Sequence, residues 1–174
     1  MKIKKIAIVI ACVFLSCLGL NAQSNRAHYQ GSVEFGIMPY FNSGPGSITA
    51  LNIDYIAGCR INDNIFVGGG TGINTMSALG LSIPIYANFK YYIPIASHPK
   101  HFPFISASLG LNIYIQEEFN NGNTAYCGYV LNVSGGYNIQ ITNRISSYVK
   151  LGIESSLCNK DAFVGPALHI GLTF

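Results

Sequence analysis

The sequence predicts an all-β fold: an eight-stranded antiparallel up-and-down transmembrane β-barrel with a polar, side-chain-filled interior. Three observations carry this reading. Only 10% of the 174 residues are charged, against roughly 25% in an ordinary soluble domain. Apolar and polar residues alternate with a period of two over most of the chain, the mark of strands with unlike faces. Beyond the N-terminal segment, no stretch has the ~18 consecutive apolar residues of a transmembrane helix.

The chain opens MKIKKIAIVIACVFLSCLGLNAQS. Lys2, Lys4 and Lys5 form a basic start, Ile6 to Leu15 is apolar, and Ala22 is a small residue before a cut at Gln23. This is the pattern of a secretory signal peptide, so the expected organisation is a leader over 1–22 and one barrel domain over 23–174. A second cut competes: Phe14-Leu15-Ser16-Cys17 resembles a lipobox, which would leave Cys17 lipidated. Phe14 stands where Leu is usual, and the ordinary site at Ala22 is the better of the two. Without the leader, seven basic residues face seven acidic ones. A neutral chain of this kind gives no footprint for nucleic acid.

The strands follow from the alternation. From Leu81 to Ile93 the odd positions read Leu, Ile, Ile, Ala, Phe, Tyr, Ile, and the even ones include Ser82, Asn88 and Lys90. From Ile105 to Ile115 the pattern repeats, with Ser106, Ser108 and Asn112 between the apolar residues. Extended along the chain, it gives segments at about 28–40, 47–59, 65–76, 81–93, 102–115, 126–140, 145–157 and 163–174. These exceed the five or six residues of a common strand and suffice for the ~9–11 needed to cross a bilayer at a tilt. Polar turns at Asn62-Asp63-Asn64 and Thr142-Asn143-Arg144 alternate with looser connections at 41–46, 77–80, 116–125 and 159–162. The connection from Pro94 to His101 is long for the short-turn side, and Pro84 and Pro166 fall inside strands, where a missing N–H predicts bulges or strand ends a few residues away.

Glu34, Asp54, Lys90, Lys150 and Glu154 all fall on the polar face of their segments, and His169 shares that face in the last one. A charge facing lipid near the midplane costs ~2–4 kcal/mol, whereas a charge in the lumen can pair. These six are therefore expected to be structural lumen groups. The alternation places Asn52, Asn88, Asn112 and Asn132 beside them. It places Ile83, Ile85, Leu109, Leu111, Leu131, Val133, Leu151, Ile153, Leu168 and Ile170 in an outer apolar belt.

The stretch FVGGGTG (66–72) raises the question of a phosphate loop. It lacks the glycine spacing of a dinucleotide fingerprint and the Gly-Lys-Ser/Thr of a P-loop. Gly68, Gly70 and Gly72 instead share the inward face with Asn74, so they make room for bulky side chains of other strands in a narrow barrel.

The last residues, HIGLTF, alternate and close on Phe174. A terminal phenylalanine on such a strand resembles the signal read by the barrel-assembly machinery. Together with the leader and eight strands, the chain resembles the small eight-stranded outer-membrane barrels of Gram-negative bacteria, the OmpA/OmpX-like porin-family barrels. GCRINDNIFVGGGTGINT (58–75) is similar to the second hairpin of such proteins. The resemblance implies a place in the outer membrane, contact with its lipids and lipopolysaccharide, and assembly by that machinery. It transfers no catalytic, metal or cofactor-binding residue.

Other candidate groups have bland readings. Cys127 and Cys158 flank the same rim and are candidates for a disulfide in an oxidising location, although their parity puts them on opposite faces. His98 and His101 have a spacing compatible with metal but bring no third ligand, which favours a solvated turn. His169 and Glu154 on neighbouring strands are conceivable as a base and its orienter, yet no motif supplies a nucleophile beside them. Asn132-Val133-Ser134 matches a glycosylation pattern but lies mid-strand. The functional expectation is a structural or surface-interaction barrel, not an enzyme and without a cofactor. The alternatives are a lipid-modifying enzyme or narrow channel on the same barrel, and a secreted lipocalin-like carrier with its apolar face inside.

Overall fold

In the computed structural model, residues 27–41, 47–76, 80–95, 101–118, 122–158 and 161–174 are described. The leader, Cys17 and His98 lie outside them. Eight strands make one closed antiparallel barrel in chain order. They are β1 His28–Phe41, β2 Ser47–Arg60, β3 Ile65–Met76, β4 Gly80–Tyr92, β5 His101–Glu118, β6 Gly122–Gln140, β7 Ser146–Cys158 and β8 Asp161–Thr173. Among the described residues no helix is assigned.

Closure joins β1 to β8. Gly31 and Phe174 exchange backbone N–H···O bonds of 2.9 Å in both directions, and the Phe174 ring lies 2.8 Å from where a Gly31 Cβ would sit. The described chain ends therefore meet at one end of the barrel, called here the turn end. Its two tight turns are built alike. The Asn62 side-chain oxygen accepts from Asn64 N at 2.9 Å and Ile65 N at 2.8 Å, and the Thr142 hydroxyl accepts from Arg144 N at 3.2 Å and Ile145 N at 3.0 Å. Side-chain oxygens that capture backbone N–H groups in this way hold the chain in a turn.

Two expectations are corrected. The prolines make no bulges. The β3–β4 register is the same on both sides of Pro84, with the ladder open only between Thr71↔Ile85 and Asn74↔Ser82. The β1–β8 register is likewise the same at Ile37↔Leu168 and at Phe41↔Val164, with the ladder open between them, and it sets Pro39 opposite Pro166. Each proline removes a donor locally, and the neighbouring pairs hold the alignment without an inserted residue.

The second correction concerns length. β5 runs to Glu118 and β6 starts at Gly122, so most of the expected 116–125 loop is a paired hairpin. Residues 116–118 and 122–125 are almost all polar or small in sequence, and the alternation that marks a strand disappears there.

The face assignment is uniform. Leu109, Leu131, Val133, Leu151, Ile153, Leu168 and Ile170 are exposed on the outer surface, with Ile83 and Leu111 half-covered in the same belt. Tyr29, Tyr55, Tyr91 and Tyr137 are exposed towards the turn end, the height of an aromatic girdle.

Candidate functional site: a charged layer inside the barrel

The parity that turns the belt outward turns Glu34, Asp54, Lys90, Lys150, Glu154 and His169 inward, and all six are at most 7% exposed. They gather at mid-height. Glu34 is the hub. Its Oε1 accepts from Lys90 Nζ at 3.2 Å, Lys150 Nζ is 2.5 Å from its Oε2, and the Tyr148 hydroxyl also donates to it. Lys90 in turn lies 4.6 Å from the centroid of the Tyr148 ring and 5.8 Å from those of Phe66 and Phe104, a cation–π setting that helps to hold a desolvated ammonium.

The other two carboxyls are held differently. Glu154 accepts from the Tyr40 hydroxyl at 2.6 Å and from Asn132 Nδ2 at 3.1 Å. Asp54 Oδ2 accepts from Asn52 Nδ2 at 2.5 Å, and the same amide is 3.3 Å from His169 Nε2. Lys90 and Lys150 both form ion pairs with Glu34. The other two of the three carboxyls rely on neutral donors.

His169 and Glu154 are not brought together as base and orienter. His169 faces Lys150 in the β7–β8 register, while Glu154 faces Gly165. The ring belongs with Asn52 and Asp54 on the other side of the seam. Asn132, the glycosylation candidate, is buried. Cys127 is an exposed free thiol and Cys59 is buried; the side chain of Cys158 lies outside the described residues. His101 packs its ring 5.9 Å from that of Tyr137.

Alternation did not reveal what closes this layer. Towards the loop end Met38, Tyr40, Ala50, Met76, Tyr114, Phe163 and Ala167 form one buried cluster. Towards the turn end Ile56, Phe66, Tyr92, Phe104 and Tyr148 form another, with Tyr86 and Phe102 packed against it. These residues share the inward parity of the charges. The readable signal was that inward positions near strand ends carry large apolar residues, whereas central ones carry Asn, Ser or charge.

The inward glycines give those rings their seats. A Cβ at Gly70 would meet the Tyr86 ring, one at Gly136 the Phe104 ring, one at Gly171 the Tyr148 ring, and one at Gly36 the Asn52 amide and the His169 ring. Between the caps remains a cavity of about 30 Å³ lined by Glu34, Asn52, Asp54, Asn74, Asn112, Asn132, Lys150, Glu154 and His169, among others.

A closed eight-stranded antiparallel barrel with an apolar outer surface and charges inside defines the fold class. Among solved structures, the chain is similar to the crystal structure of Neisserial surface protein A (NspA), at 15% identity and a TM-score of 0.72, over 84% of this chain and 97% of that one. It is also similar to the N-terminal β-barrel domain of Pseudomonas aeruginosa OprF, at 12% identity and a TM-score of 0.52, over 86% and 100%. No family model and no curated protein matches the chain. At these identities the likeness is one of fold.

Proposed function

We propose that the protein is a Gram-negative outer-membrane barrel with a structural or surface-interaction role, and that it is not a pore. The observation that carries this reading is the two-sided wall. A continuous apolar belt lies outside, and the charged layer within is sealed at both ends by the two aromatic clusters. Lipid cannot satisfy polar groups, and a closed barrel leaves no backbone edge for it to satisfy. The tyrosines near the turn end suit the membrane interface. The lipocalin-like alternative needs the opposite wall, apolar inside and charged outside.

In this reading the belt contacts outer-membrane lipids and lipopolysaccharide, residues 1–22 direct export, and the strand closing on Phe174 is offered to the barrel-assembly machinery. NspA is a surface protein by name, which accords with a role carried by the loop end. The test joins membrane fractionation, heat-modifiable gel migration and planar-bilayer recording. An outer-membrane protein whose mobility shifts on heating and that gives no steady conductance supports the proposal. A soluble protein, or stable conductance steps, contradicts it.

A further inference from the structure

The buried layer does not balance its own charge. Among the described residues three carboxyls (Glu34, Asp54, Glu154) and two ammoniums (Lys90, Lys150) are buried. With His169 neutral, one negative charge is left over. Glu34 is spoken for by both lysines, and Glu154 accepts at both oxygens. The uncompensated group is Asp54, whose Oδ1 has no hydrogen-bond partner. An ionised carboxylate left alone in a dry interior is costly.

Most of the neighbouring orphan atoms are of one kind; the exceptions are Asn112 Nδ2 and the ring Nδ1 of His169. The side-chain oxygens of Asn52, Asn74, Asn112 and Asn132 also lack partners, each residue is at most 5% exposed, and all line the same cavity as Asp54. Asn52 and Asn74 are paired across β2 and β3, with Asp54 on the same face two residues along. On the other side of Asp54, ligand atoms of Glu34, Asp54 and His169 lie within 4.8 Å of one another. A set in which unpartnered acceptors outnumber unpartnered donors suits a cation. Neutral oxygens with one carboxylate suit a hard ion and not a soft metal. The cavity of about 30 Å³ has room for about two water-sized occupants, each needing ~10–15 Å³ by this measure.

We propose that this cavity is a binding site for one hard monovalent cation of sodium's size. The ion is held by Asp54 Oδ1 and the amide oxygen of Asn74, and water completes its shell. One positive charge brings the layer to neutrality. A divalent ion would overshoot and would sit close to the ammonium of Lys150.

The experiment compares urea unfolding and refolding of the full barrel in detergent micelles, in sodium chloride and in equimolar tetramethylammonium chloride. Ionic strength is equal, and the organic cation is too large for the cavity. Sodium at ten times its dissociation constant is expected to lower the unfolding equilibrium constant about tenfold, with saturation. Asp54→Asn, which keeps the shape and removes the charge, is expected to abolish the sodium-specific gain. Asn74→Leu, which removes one amide oxygen, is expected to weaken sodium binding and gives a second reading should Asp54→Asn fail to refold. Equal midpoints of the wild type in the two salts would overturn the site and point to a protonated Asp54. Retention of the full gain by either variant would overturn the assignment as well.

Discussion

Lys150 reaches Glu34 across the lumen, Nζ to Oε2 at 2.5 Å, from a strand that is not a neighbour of β1 in the wall. The pair braces the barrel from inside, and Lys90 adds a third strand to the same carboxylate. Removing the hub leaves two buried ammoniums without their direct ion-pair partner, whereas removing one lysine leaves the other pair intact. Stripping a partner from a buried pair typically costs ~3–5 kcal/mol. Glu34→Gln is therefore expected to lower the urea midpoint more than Lys90→Met or Lys150→Met does. All three should exceed any polar exchange at the exposed turn residue Asn143, where ~0.5 kcal/mol is usual. Unfolding in micelles at fixed salt, followed by gel migration, gives the ranking.

The glycine seats invite a coupled test. A methyl at Gly70 would run into the ring of Tyr86, and overpacking of this sort costs ~1–3 kcal/mol. Gly70→Ala is expected to be destabilising alone and much less so in a Tyr86→Leu background. The double-mutant cycle should therefore show a favourable coupling of ~0.5 kcal/mol or more, the range for residues in contact. Additive effects would mean that the glycine is not there for the ring.

Depth in the membrane is testable along one outer face. Ile153, at mid-strand in β7, is 63% exposed, and Ile61, beside the 62–64 turn, is 43% exposed. Arginine on the lipid face costs ~2–4 kcal/mol at the midplane and ~0–1 near an interface. Ile153→Arg is thus expected to impair folding into lipid vesicles far more than Ile61→Arg. Comparable folded fractions for the two would argue against a belt centred on Ile153.

How much of this was legible in the residues follows from what each pattern can encode. Alternation reports a face, so Glu34, Asp54, Lys90, Lys150, Glu154 and His169 could be placed inside from parity alone. Parity says nothing about height along the barrel. Tyr40 and Phe104 carry the same inward sign as Glu34, yet they belong to the caps. It is equally silent on partners across the lumen, which is why Glu154 and His169 invited a pairing that the β7–β8 register does not make. Strand limits were readable where one face was apolar and the other polar. They failed at the tips of β5 and β6, where Glu117 and Asn123 pair with no apolar residue to mark the strand. The prolines misled for a local reason. The missing N–H of Pro84 or Pro166 opens the ladder, but whether the register shifts is decided by the pairs on either side.

The central claim is that the apolar surface of this barrel faces lipid and the charged surface faces its own interior. The chain has no tryptophan, so Ile153→Trp provides a single fluorophore in the middle of the belt, and Ile61→Trp provides one at its edge. Each variant is folded into vesicles whose lipids carry bromine midway along the acyl chain, and quenching is measured against unbrominated vesicles and against aqueous acrylamide. The account expects strong bromine quenching and little acrylamide quenching at position 153, and weaker bromine quenching at position 61. Free acrylamide access with no bromine quenching at position 153 would mean that the belt is not in the bilayer, and would contradict the account.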